Sequence, residues 1–186
     1  MASTSDRIFG LLRGLVDALL KPGKASAPPT PRSGPTRTTR PPASSGPAAP
    51  GLSAPYPGDF TGTSTVRYSP KLDGVPDPGE IVWTWVPFEE DFSHGKDRPV
   101  LVVGRTGKRL LALMLTSKDH SNDHRGDNDY VDIGTGAWDR QGRPSEVKLD
   151  RILQIAEADM RREGAVLGAR QFSSVADGLR RRHGWS

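Results

Sequence analysis

The side chains able to do chemistry in this 186-residue chain are few in kind. There are no cysteines, which removes thiolate nucleophiles, thiolate metal sites and disulfides and suits a reducing cytoplasm. Of four histidines, His120 and His124 fall in the polar run Lys118-Asp119-His120-Ser121-Asn122-Asp123-His124-Arg125-Gly126-Asp127. Imidazoles interleaved with carboxylates can hold a metal, but Arg125 stands where a calcium loop needs a ligand. The run therefore reads as a solvated loop. His94 and His183 are isolated in sequence. No Walker-type phosphate loop, glycine-rich dinucleotide turn or zinc-binding histidine pair on a helix occurs, so neither a metal nor a cofactor is expected. What remains is the chemistry of arginines, lysines and hydroxyls, which suits phosphate.

Charge is distributed unevenly. The net charge is +4 and the isoelectric point about 9.6, which by itself points toward nucleic acid. Residues 1–58 carry seven Lys and Arg against two Asp and Glu, whereas residues 59–186 carry 19 against 20. The folded part can bind an anion only through local placement of cations and not through its overall field. Eleven of the 17 prolines lie between Pro22 and Pro57.

Three segments follow. Residues 1–21 read as a short amphipathic helix: Ile8, Leu11, Leu12, Leu15 and Leu19 recur at helical spacing, and Lys21-Pro22-Gly23 is a stop. The run is too short for a membrane span and marginal alone in water, so it is expected to rest on a partner protein or a membrane surface. Residues 22–66 read as a disordered linker, rich in Pro, Ser, Thr and Gly, with too few large apolar groups to offset the entropy of ordering. Residues 67–186 read as the folded domain.

Within that domain, β-branched and aromatic runs mark strands at 79–86, 97–104, 109–117, 129–133 and 145–155. The third is continuously apolar, which suggests a central place in the sheet. Trp83 and Trp85 alternate and share a face, as core, dimer interface or base-stacking platforms. Residues 156–160 are expected to form one or two helical turns, and a segment containing Phe172, Val175 and Leu179 a helix with its apolar stripe on the sheet. The fold class is mainly β with C-terminal helices, and short strands at close spacing suggest a small barrel. On pattern alone, Arg98 pairs with Glu89, Glu90 or Asp97 at the surface, and Thr116 is an ordinary strand threonine.

Four blocks in order change that reading: Gly79-Glu80-Ile81-Val82-Trp83, Lys96-Asp97-Arg98-Pro99-Val100-Leu101-Val102-Val103, Leu113-Met114-Leu115-Thr116-Ser117-Lys118 and Ser145-Glu146-Val147-Lys148-Leu149-Asp150-Arg151-Ile152. Together they resemble the MazF/PemK toxin family. Asp-Arg-Ile at 150–152 replaces the commoner Asp-Gln-Ile, and typical members begin almost at the first strand.

The resemblance implies an SH3-like barrel, a homodimer, and the toxin of a type II toxin–antitoxin system that cuts single-stranded mRNA without a metal and is restrained by a cognate antitoxin. It places the family's catalytic pair on Arg98 and Thr116, with Ser117, Lys118 and Lys96 as expected substrate-binding neighbours. Arginine, with a pKa above about 12, is a poor general base. Arg98 is therefore expected to stabilise the transition state or to donate a proton, and the base is unassigned. Two alternatives share the fold: a catalytically silent binding module, and a gyrase-poisoning toxin resembling CcdB. The presence of both Arg98 and Thr116 favours the nuclease.

Overall fold

A computed structural model of the chain describes residues 49–118 and 129–186. The expected helix at 1–21, the first part of the expected linker, and the histidines His120 and His124 lie outside the described residues. Six strands, β1 (Glu80–Pro87), β2 (Gly95–Thr106), β3 (Arg109–Thr116), β4 (Tyr130–Gly134), β5 (Ser145–Ala156) and β6 (Met160–Val166), form one antiparallel sheet in the order β4-β5-β3-β2-β1-β6. Among the described residues one α-helix, α1 (Ala169–His183), follows. Among the described residues, no helix is long and apolar enough to cross a membrane.

The apolar runs of β2 and β3 are continuous because both faces of the sheet are covered. Val100 and Val102 of β2, with Leu110 and Ala112 of β3, turn to one face, where they meet Val82, Val86, Leu153 and Ile155. Leu101, Val103, Leu111 and Leu113 turn to the other, where Phe172, Val175 and Leu179 of α1 and the ring of Trp185 close over them. β3 lies between β2 and β5, the central place that its composition suggested. α1 ends where Gly184 takes a left-handed conformation (φ 67°) and returns its N–H to the carbonyl of Arg180, the usual role of glycine just past a helix.

Two expectations are corrected. Residues 156–160 do not form a helix beyond the single 3-10 turn Glu157–Asp159, after which Met160 opens β6. There is thus one C-terminal α-helix and a sixth strand. Among the described residues, β6 borders only β1, the place of an edge strand.

The second correction concerns residues 49–66, expected to belong to a disordered linker. They lie along the sheet as a strap. β4 pairs with β5 only from Ser145 to Lys148, and the strap covers the edge of β5 beyond. There Phe60 N–H donates to the carbonyl of Ile152 (2.8 Å) and the Gln154 side-chain amide to that of Gly58 (3.0 Å). Tyr56 is buried against Phe92, its hydroxyl donating to Asp59 (2.6 Å). Burial, then that hydrogen bond, pushes the phenol well above its ordinary pKa. Asp59 also accepts from Arg151 Nε (2.7 Å). The strap ends in a two-bond ladder with the C-terminus, Val66 N–H to Ser186 O and Ser186 N–H to Ser64 O. Proline-rich composition concealed these few, well-spaced apolar anchors.

Candidate functional site

β2 and β3 run antiparallel, so the start of one lies beside the end of the other. Their register pairs Val100 with Met114. Two residues further along each strand, on the same faces, stand Arg98 and Thr116. Arg98 also pairs across β1 with Thr84, and Thr116 across β5 with Glu146. Both line a cleft of about 560 Å³, with Ser117, Lys118, Trp83, Pro99 and the residues of the β4–β5 connection.

Arg98 is half-buried. Among the described residues, no carboxylate pairs with it: Asp97 turns to Arg161 (3.3 Å). Glu89 and Glu90 are exposed in the β1–β2 loop, where Asp91 builds the turn. The Asp91 carboxylate accepts from the Ser93 hydroxyl (2.7 Å) and backbone (2.9 Å) and contacts His94 Nδ1 (2.8 Å). Those bonds, Ser93's first, hold the carboxyl at about 2. Thr116 Oγ1 accepts the Lys118 N–H at 3.2 Å; its own proton is left to donate. Ser117 and Lys118 are exposed at the cleft. Of the expected residues, only Lys96 is absent from the cleft: its ammonium lies over the ring of Phe88, 5.9 Å from the centroid.

The residues that sequence reasoning missed come from the β4–β5 connection, read there only as turns. Trp138, Asp139, Arg140, Gln141 and Arg143 line the cleft, ending at Ser145. The connection is braced at both ends. Trp138 is buried, its indole N–H donating to Ser145 Oγ (3.1 Å). The Asp139 carboxylate accepts from Arg143 Nε (2.7 Å) and from Gln141 N–H (2.8 Å). These bonds, Arg143's first, hold its carboxyl below the ordinary value. Gly142 N–H closes the turn onto the carbonyl of Asp139, at a left-handed φ of 63° that glycine adopts readily. The signal available in sequence was an aromatic followed closely by two arginines and one aspartate. Trp83 also faces the cleft, while Trp85, on the same side of β1, has a buried indole N–H with no acceptor among the described residues.

Preorganised donors around an open cleft can hold a phosphoryl group and stabilise charge that develops on it. Among the described residues, no three His, Asp or Glu side chains gather as metal ligands.

A family model described as the PemK-like, MazF-like toxin of type II toxin–antitoxin systems matches residues 77–182. No curated protein matches the chain. Among solved structures, MazF from Deinococcus radiodurans is 22% identical, with a TM-score of 0.46, over 59% of this chain and 97% of that one. A MazE–MazF structure from the same organism is 21% identical, with a TM-score of 0.44, over 60% and 99%. The Mycobacterium tuberculosis toxin MazF-mt6 is 18% identical, with a TM-score of 0.40, over 56% and 98%.

Proposed function

Since the chain belongs to the PemK-like, MazF-like toxins of type II toxin–antitoxin systems, we propose that it is an endoribonuclease that cuts single-stranded RNA without a metal. The observation that carries this reading is the convergence of Arg98 and Thr116 on one cleft, with no carboxylate paired to Arg98 among the described residues. An arginine already locked in an ion pair would have less to offer a phosphate.

RNA brings its own nucleophile. The 2′-oxygen forms a bond to the adjacent phosphorus, the bond from phosphorus to the 5′-oxygen breaks, and the products are a 2′,3′-cyclic phosphate and a 5′-hydroxyl. The 2′-hydroxyl gives up its proton and the leaving oxygen takes one. Arg98 supplies a permanent charge and a planar fork of donors to the non-bridging oxygens. Thr116, whose oxygen already accepts from Lys118 N–H, turns its proton toward the phosphate. Each such donor is worth about 3–4 kcal/mol at the transition state. The group that takes the 2′-proton is unassigned.

The same reading includes a cognate antitoxin, a homodimer and action in the cytoplasm. It also includes closure of the sheet as an SH3-like barrel. Support for closure comes from β5 and β6, which follow one another across a single 3-10 turn yet border β3 and β1 respectively.

Incubation of the full chain with a long single-stranded RNA in EDTA tests the reading. Cleavage is expected, falling about 100- to 1,000-fold in Arg98→Ala and in Thr116→Ala. Intact RNA with folded wild-type protein would sink it.

A further inference from the structure

The cleft has room for more than one phosphate. About 560 Å³ lies within the range of roughly 300–1,000 Å³ that accommodates a drug-sized ligand. Six charged side chains line it: Asp97, Arg98, Lys118, Asp139, Arg140 and Arg143. Both carboxylates are already paired, Asp97 with Arg161 and Asp139 with Arg143. Among the described residues, Arg98, Lys118 and Arg140 have no acid partner. The near-balance of charge over residues 59–186 therefore conceals a cleft whose unpaired charge is positive.

Arg140 stands apart from the other two. It comes from the β4–β5 connection, whereas Arg98 lies on β2 and Lys118 just beyond β3. It is exposed and sits between Asp139 and Gln141, whose bond to one another fixes the turn. The buried Trp138 anchors that turn to the first residue of β5. With the backbone of the turn already ordered, binding costs only the freedom of the Arg140 side chain. Asp139 takes Arg143 and so leaves Arg140 exposed at the cleft with no acid partner among the described residues.

We propose that Arg140 is a second phosphate-binding residue for single-stranded RNA, gripping a backbone phosphate that flanks the one held at Arg98. The inference rests on the nuclease reading of this cleft. A grip on a non-reacting part of the substrate acts equally before and during the reaction, so it governs KM and not kcat. It also releases counterions, so it contributes to the salt dependence of binding.

The test uses the full chain and an RNA oligonucleotide spanning a site that the wild type cuts. Binding of the same oligonucleotide with 2′-O-methyl riboses, which lack the nucleophile, is followed across a range of KCl. Arg140→Ala is expected to raise KM about 10-fold with kcat within about twofold of wild type. The slope of log affinity against log salt is expected to be shallower by about 0.7. Arg140→Lys keeps the slope, because the charge remains, and recovers only part of the affinity. An unchanged KM and salt slope in Arg140→Ala, with an active wild type, overturns this role and leaves the nuclease reading standing. Weaker binding with an unchanged salt slope overturns it too, since the side chain then acts by shape and not by charge. A wild type that neither binds nor cuts overturns the nuclease reading itself.

Discussion

Arg98 and Asp97 are neighbours in the chain, and the simplest use of both would be a local pair. Asp97 also lines the cleft but pairs with Arg161. Arg98 is thus left in the cleft with no acid partner among the described residues. Arg143 shows the opposite case: its charge is committed to Asp139, and the consequence is measurable by pH. The Asp139 carboxyl is lowered from 3.8, first by the Arg143 hydrogen bond and then by Gln141 N–H. The folded group therefore binds its proton more weakly than the unfolded one. The contribution of this pair is complete above 3.8 and is lost as pH falls through the lower folded value. Titration of the Asp139 carboxyl by NMR is expected to give a midpoint below 3.8 in the wild type, moving upward in Arg143→Ala. An unchanged midpoint in that variant would count against the brace. That Arg98 and Thr116 stand at one cleft was legible in the sequence, because four blocks in order set them at the ends of adjacent strands. Arg140 was not, because nothing in Asp139-Arg140-Gln141-Gly142-Arg143 says which arginine the aspartate takes. Lys96 lies outside the cleft, since nearness in sequence to Arg98 does not bring it there.

At the scale of elements, the β1–β2 hairpin decides whether Arg98 reaches the cleft. Gly95 pairs with Pro87 at its start. A Cβ at Gly95 would run into the Val86 carbonyl and lie 2.9 Å from Pro87 Cα, backbone atoms that cannot swing aside. Gly95→Ala is expected to cost about 1–3 kcal/mol in denaturant unfolding and to reduce activity, although residue 95 is outside the cleft. A stability equal to wild type would show that the hairpin start has more slack than its geometry indicates. The first five strands were legible from β-branched runs, and α1 from its stripe of Phe172, Val175 and Leu179. β6 was not, because a charged edge strand bordered on one side only lacks the apolar alternation that marks a strand.

For the molecule as a whole, the strap extends the folded unit upstream of its first strand. A chain beginning at Ala49 keeps it, and one beginning at Arg67 loses Tyr56, Phe60 and Val66 together with the ladder to Ser186. The shorter chain is expected to be less stable by about 3 kcal/mol or more, read as a lower midpoint in thermal or denaturant unfolding. Equal midpoints would mean that the strap is dispensable. The strap was hidden by composition, since three anchors suffice when a larger domain already offers the surface on which they bury. Charge was misleading at the same scale. The basic isoelectric point belongs to the first 58 residues, while the proposal for the folded part rests on three cations, Arg98, Lys118 and Arg140, that line one cleft. That cleft carries the central claim, that its donors act on an RNA phosphate attacked by the neighbouring 2′-hydroxyl. The most direct measurement is mass spectrometry of the fragments from an RNA cut in EDTA, beside the same RNA with a single 2′-deoxyribose at the cut. Fragments ending in 2′,3′-cyclic phosphate and beginning with 5′-hydroxyl, with no cut at the deoxyribose, are expected. Fragments with 5′-phosphate ends, or cleavage that persists at the deoxyribose, would contradict it.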